Sequence, residues 1–329
     1  MAAGLALAAA VALGLARFSY ALLLPAMRAD LGWTYFTAGA MNTVNAAGYL
    51  LGALLAPRAL ARFDARRLML AGGVLASAFL AAHGAVRSDA LLYALRLGTG
   101  VASAMSFIAG GLLAARLAGM QGNAVGDRRV PPSLVLGLYY GGTGLGIVLS
   151  AGLVRPHSAA EPLMWPQAWL LLALASAVAT VLTAASTRDL HSPPVRHAAR
   201  VTVPWTPFAF ALAGYGLFGL GYIGYMTFII TLLREQGLSP PQLTAFFCLL
   251  GLAVVASSWL WAGLLQRFRG GQALALLNAL LAVATLLPVA SSHPVVVFTS
   301  GALFGGVFLS VVAATTALVR HNLPPAQWP

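Results

Sequence analysis

Ten long apolar runs follow one another along the chain, approximately 3–27, 36–57, 68–86, 90–115, 133–154, 165–186, 205–232, 242–265, 271–290 and 294–319. Each is close to the ~20 residues that a helix needs to cross a bilayer. The runs are continuously apolar instead of alternating, which argues against strands. Only helices and closed barrels satisfy every backbone group in lipid, so the pattern predicts an all-α polytopic membrane protein with about ten transmembrane helices. Composition agrees: 60% of the 329 residues are hydrophobic and 8% are charged, against roughly a quarter charged in a soluble domain. Mean hydropathy is +0.86. These values exclude a soluble enzyme and a disordered chain. The first run has no basic flank and is too long for a cleavable signal, so it reads as a membrane helix.

All 19 basic residues are arginines, and their placement sets the orientation. Thirteen fall in one set of loops: Arg58, Arg62, Arg66, Arg67, Arg116, Arg128, Arg129, Arg188, Arg196, Arg200, Arg267, Arg269 and Arg320. Four fall in the alternate loops: Arg28, Arg87, Arg155 and Arg234. The bias places the first set, and with it both termini, in the cytoplasm of a bacterial-type inner (plasma) membrane. Short arginine clusters between apolar runs are loop signals, so no nucleic-acid partner is expected. The single cysteine, Cys248, excludes an internal disulfide framework.

The hydrophilic stretch 187–204 divides the chain, giving an expected six-helix bundle over 1–186, a cytoplasmic linker, and a four-helix bundle over 205–329. The second block echoes the first. Met27-Arg28-Ala29-Asp30-Leu31-Gly32 at the end of helix one is answered by Leu233-Arg234-Glu235-Gln236-Gly237, and Arg62-Phe63-Asp64 by Arg267-Phe268-Arg269. Two related halves are the organisation of many two-bundle transporters. The second half is then two helices short. A chain truncated after its tenth helix and a genuine ten-helix variant both fit, and truncation is the expectation.

Three groups of residues resemble the major facilitator superfamily, and within it the YbfB/YjiJ-type transporters. They are Gly14-Leu15-Ala16-Arg17-Phe18-Ser19-Tyr20 with Leu24-Pro25-Ala26-Met27; Gly48-Tyr49-Leu50-Leu51-Gly52-Ala53; and Tyr139-Tyr140-Gly141-Gly142-Thr143-Gly144-Leu145-Gly146. Helix four matches that superfamily's arginine-centred pattern at Leu92, Arg96, Thr99, Gly100 and Ala104. The resemblance implies a twelve-helix fold of two bundles that rock about a central site, and a role for Arg96 in substrate binding or proton coupling. Gly141-Gly142 stands where antiporters of the superfamily carry Gly-Pro.

Two arginines, Arg17 and Arg96, fall inside apolar runs. A charge at mid-bilayer costs at least ~2.5–3.5 kcal/mol on insertion scales. Arg17 lies roughly 18 Å into the membrane core if its helix begins near residue 5. It reads either as a fixed cation facing a solute or as a lock on backbone carbonyls. Arg96 lies nearer a helix end, where snorkelling competes with function. All seven acidic residues sit in loops or at helix ends. No intramembrane carboxylate is left to neutralise Arg17, which points to an anionic or strongly hydrogen-bonding solute. Asn42, Asn45 and Tyr49 share a helix face and either line a cavity or staple helices together. Tyr20, Tyr139, Tyr140, Tyr222 and Tyr225 complete the candidate solute-binding set, with Arg96 the candidate coupling residue. Gly48 and Gly52 read as a packing face, and His83 as a weaker proton candidate or a satisfied helix-end histidine.

No cofactor or metal is expected, since no Cys/His cluster has ligand spacing. Gly219-Leu220-Gly221-Tyr222-Ile223-Gly224 lacks the preceding strand of a dinucleotide site. A membrane enzyme would need intramembrane acid–base groups, which are scarce here. The leading expectation is a monomeric secondary transporter that moves a small solute by alternating access. The alternatives are a non-transporting truncation product and a membrane-embedded enzyme.

Overall fold

The computed structural model describes residues 1–122, 132–154, 165–190, 209–268 and 270–322. All regular structure among them is helical. The helices are α1 (Ala2–Ala9), a π-helical segment (Ala10–Phe18), α2 (Tyr20–Leu31), α3 (Tyr35–Leu60), α4 (Ala65–His83), α5 (Asp89–Gly122), α6 (Pro132–Leu153), α7 (Trp165–Ser186), α8 (Ala209–Glu235), α9 (Pro240–Leu260), α10 (Ala262–Arg267), α11 (Gln272–Ala290) and α12 (Pro294–Asn322). They coincide with the ten apolar runs, with two breaks inside them. The first span changes to π geometry at Ala10–Phe18, and α9 ends at Trp261 before the short α10. Residues 191–204 of the expected linker lie outside the described residues.

Nine of the described spans meet the length and hydropathy of a membrane-crossing helix. The tenth, α3, falls short because it carries Thr37, Asn42, Thr43, Asn45 and Tyr49. Local chemistry sets the helix ends. The Thr34 side chain caps α3 by accepting from Thr37 N at 3.1 Å. Asp64 caps α4 by accepting from Arg66 N at 2.9 Å. Gly32 and Gly237 close α2 and α8 in the left-handed region, with φ of 65° and 89°, which residues bearing a Cβ adopt only with strain.

Those two glycines are one pair in a register of 205 residues, the separation that also relates Arg17 to Tyr222. Thr34 and Ser239 precede the next helices, Asp89 and Pro294 begin α5 and α12, and Arg62-Phe63 matches Arg267-Phe268 at the same separation. The packing repeats as well. A Cβ on Gly100 would strike the Asn45 carbonyl of α3, and a Cβ on Gly305 would strike the Leu250 carbonyl of α9. The repeat is therefore structural as well as a sequence echo.

Two contacts have no such partner among the described residues. In the first half, α1 and the π segment pack against α6 and α7. A Cβ on Gly14 would lie 2.5 Å from Gly146 Cα. The corresponding stretch of α8 carries Gly214, Gly216, Gly219, Gly221 and Gly224, and none has a described heavy atom near the position of a Cβ. These glycines thus make no close helix packing among the described residues. A groove of about 640 Å³ runs beside this face, between α8, α11 and α12. The halves meet along α6 and α9, where Gly144 packs on Gly251, and along α2 and α8.

Candidate functional site

The π segment places Arg17 at the contact between the halves. Its wider turn, marked by Ser19 N donating to Gly14 O at 3.2 Å, is a geometry that recurs at functional sites. Arg17 is 7% exposed. Its Nη2 donates to the Tyr222 hydroxyl of α8 at 2.7 Å. The guanidinium lies over the ring of Tyr49 at 4.9 Å, and near Tyr222 and Phe18 at 5.7 and 5.9 Å. Among the described residues no carboxylate pairs with it; the ion pairs there are Arg28–Glu235, Arg87–Asp30 and Arg188–Asp189. A cation–π cage satisfies part of the charge and leaves guanidinium donors for an anion.

Arg96, on α5, lies behind this cage and is 1% exposed, so it does not snorkel. Its Nη2 donates to Asn42 Oδ1 at 2.9 Å, Nε reaches Met41 O at 3.5 Å, and Nη1 reaches Ala16 O at 3.5 Å. Its face covers the Tyr20 ring at 4.5 Å, and the Tyr20 hydroxyl donates to Ala38 O at 2.9 Å. Asn45 Nδ2 donates back to the Arg96 carbonyl at 3.0 Å, while Asn45 Oδ1 is buried without a hydrogen-bond partner among the described residues. Asn42 Nδ2 donates across the halves to Thr227 Oγ1 at 2.6 Å.

Arg17, Tyr20, Asn42, Asn45, Tyr49, Arg96 and Tyr222 therefore form one connected group. Tyr140 packs on Phe107 and Tyr139 at 6.1 and 5.3 Å within the first half, and Tyr215 stacks on Phe218 at 5.4 Å. Two other candidates turn elsewhere. Tyr139 donates to the Phe107 carbonyl and packs on Gly110 within the first half. Tyr225 stacks on Phe304 at 4.0 Å, and its hydroxyl shares a 2.7 Å hydrogen bond with Ser300. His83 is buried against Trp169, with Nδ1 2.6 Å from Phe79 O.

Sequence reasoning missed three participants. Thr227 receives Asn42; Phe308 stacks on Tyr222 and meets Phe18 edge-on at 5.6 Å; and the contact at the Gly32/Gly237 end escaped notice. There Glu235 accepts from the Tyr35 hydroxyl and lies 3.8 Å from Arg28, whose guanidinium covers the Tyr35 ring at 4.0 Å. Extending the 205-residue register from the helix ends inward pairs Arg17 with Tyr222, a signal the sequence did hold. Among the described residues no cluster of three His, Cys, Asp or Glu side chains is placed to hold a metal.

Solved transporter structures share this fold. A point mutant of the nucleoside transporter NupG superposes with a TM-score of 0.72 at 14% identity, over 98% of this chain and 83% of that one. A bacterial homolog of the human lysosomal transporter Spinster, in an inward-facing and unoccupied conformation, does so with 0.65 at 11%, over 98% and 75%. At these identities the likeness concerns fold alone. No curated protein matches the sequence. Residues 9–328 match the family described as uncharacterised MFS-type transporter YbfB, and the chain belongs to it. It is a multi-pass membrane protein of a transporter family.

Proposed function

We propose that the protein moves a small anionic solute across a bacterial-type inner membrane by alternating access, with both termini in the cytoplasm. The two halves, 1–186 and 205–329 joined by the linker 187–204, would act as the moving bodies. Arg17 is the anchor. The observation that carries this reading is a guanidinium 7% exposed inside a membrane span, with a tyrosine hydroxyl from the other half as its hydrogen-bond acceptor. Holding a cation there is costly, and a solute carboxylate or phosphate would displace Tyr222 to give a charge-assisted, bidentate pair. Tyr49 and Tyr222 border that position. Because Tyr222 belongs to the second half, occupation of Arg17 changes the bond between the halves, which links binding to rocking.

A proton relay through an intramembrane acid finds no support among the described residues. A thermal-stabilisation screen of small carboxylates and phosphates on the purified protein tests the proposal. A ligand at a hundred times its Kd stabilises by about 2.7 kcal/mol. Anions should stabilise the native protein, and Arg17→Gln should remove that response while preserving membrane insertion. Stabilisation by cations alone, or an undiminished anion response in Arg17→Gln, would contradict the assignment.

A further inference from the structure

We infer that Arg96 is a positioning residue: it holds the π-helical turn that presents Arg17, and through Asn42 it ties that turn to the second half. This rests on the reading of Arg17 as the solute anchor. Arg96 makes three contacts that bear on Arg17. Its Nη1 reaches the carbonyl of Ala16, the residue before Arg17. Its ring-facing contact fixes Tyr20, which begins the helix after the π turn. Its Nη2 orients the Asn42 amide so that Oδ1 accepts and Nδ2 is free to donate to Thr227. Thr227 spends its own hydroxyl hydrogen on Ile223 O at 2.6 Å, so it is an acceptor for Asn42.

The internal repeat supplies the control. Displaced by the register of 205 residues, Arg96 falls on Gly301, Met41 on Phe246, Asn42 on Phe247 and Asn45 on Leu250. The same helix pair is built in the second half with a phenylalanine ring against Gly301 and with Phe247 and Leu250 fully buried. At these positions apolar packing takes the place of the polar set, while α9 and α12 share hydrogen bonds further along, from Ser310 Oγ to Ser257 O at 3.4 Å and from Trp261 Nε1 to Gly306 O at 2.6 Å. A buried Arg–Asn–Asn network is costlier than apolar filling unless it is fully satisfied, and Asn45 Oδ1 has no partner among the described residues. The polar set in the first half is thus not needed to assemble the helices, and its reach toward Ala16 and Thr227 assigns it to the stance of Arg17.

The test reads Arg17 directly and needs no solute. The full chain in lipid vesicles is treated with phenylglyoxal, an arginine-selective reagent, and modification of Arg17 is followed by peptide mass spectrometry. Two variants are compared with the parent: Arg96→Met, and a version carrying the second half's residues, Met41→Phe with Asn42→Phe, Asn45→Leu and Arg96→Gly. Both should insert and melt near the parent, while Arg17 reacts about ten-fold faster, the size expected from losing two intramembrane hydrogen bonds. Arg96→Lys, which keeps charge but not the fork, should fall between. Unchanged Arg17 reactivity in a folded variant overturns the inference, and so does failure of both variants to insert, because that makes the network a folding element. Protection of parental Arg17 by added benzoate or inorganic phosphate reports separately on the solute reading. Faster modification without protection would keep the positioning role and sink the anion anchor.

Discussion

At Arg17 the question is what a charge costs when a hydroxyl is its hydrogen-bonding acceptor among the described residues. Hydrogen bonds between membrane helices contribute about 0.6 kcal/mol on average and up to about 1.7. The Arg17–Tyr222 bond is therefore strong enough to bias the two halves and weak enough for a solute anion to replace. Tyr222→Phe keeps the ring that stacks between Phe218 and Phe308 at 4.8 and 6.2 Å. It removes only the acceptor. Anion binding should tighten by a few-fold in this variant, because the solute no longer competes with the hydroxyl, and turnover should fall because the link between the halves is lost. Measured Kd and initial transport rate separate the two effects. Weaker binding would mean that Tyr222 contacts the solute itself.

At the scale of elements, the glycines of α6 decide how closely the first span approaches. Gly142 and Gly146 sit where a Cβ would strike the Ala6 and Ala10 carbonyls. The π turn carrying Arg17 depends on that approach. Gly146→Val should cost about 1–3 kcal/mol through overpacking and lower the melting temperature, with anion binding lost as the π segment is pushed aside. Gly216→Val, on the uncovered face of α8, should leave melting nearly unchanged. Equal losses in the two would refute the packing argument. The spans themselves were legible in the sequence because continuous apolarity has one solution in lipid. The sequence also puts no acid inside an apolar run, and among the described residues none pairs with Arg17. The π geometry was not legible, because no residue type codes for it. Nor was the inward turn of Tyr139 and Tyr225. A tyrosine on an apolar helix can face either neighbour, and only the position of a carbonyl or of Ser300 settles which.

At the scale of the molecule, the ends of the halves differ. Near Gly32 and Gly237, α2 and α8 are in contact and Ile229, Ile230 and Leu233 are buried. Toward the start of α8, Phe210, Leu217 and Leu220 are exposed. In the proposed orientation the closed end faces outward. The charged contact there joins Arg28 and Tyr35 of the first half to Glu235 of the second, with Tyr35 also edge-on to Phe228 at 6.1 Å. Partly exposed ion pairs contribute about 0.2–1 kcal/mol, so this contact sets a bias between states and leaves folding to the apolar interface. Glu235→Gln should shift the balance toward the outward-open state. Gly39 reports on it, since a Cβ there lies 3.1 Å from the Phe228 ring. A Gly39→Cys probe should label faster with an impermeant maleimide applied from outside once Glu235→Gln is added. The gain should shrink in high salt, because screening weakens the parental pair toward the same level. Melting temperature should move little. If labelling is unaffected while melting falls, the pair stabilises the fold and does not gate it, and closure at this end belongs to Phe228 and the α2–α8 contact alone.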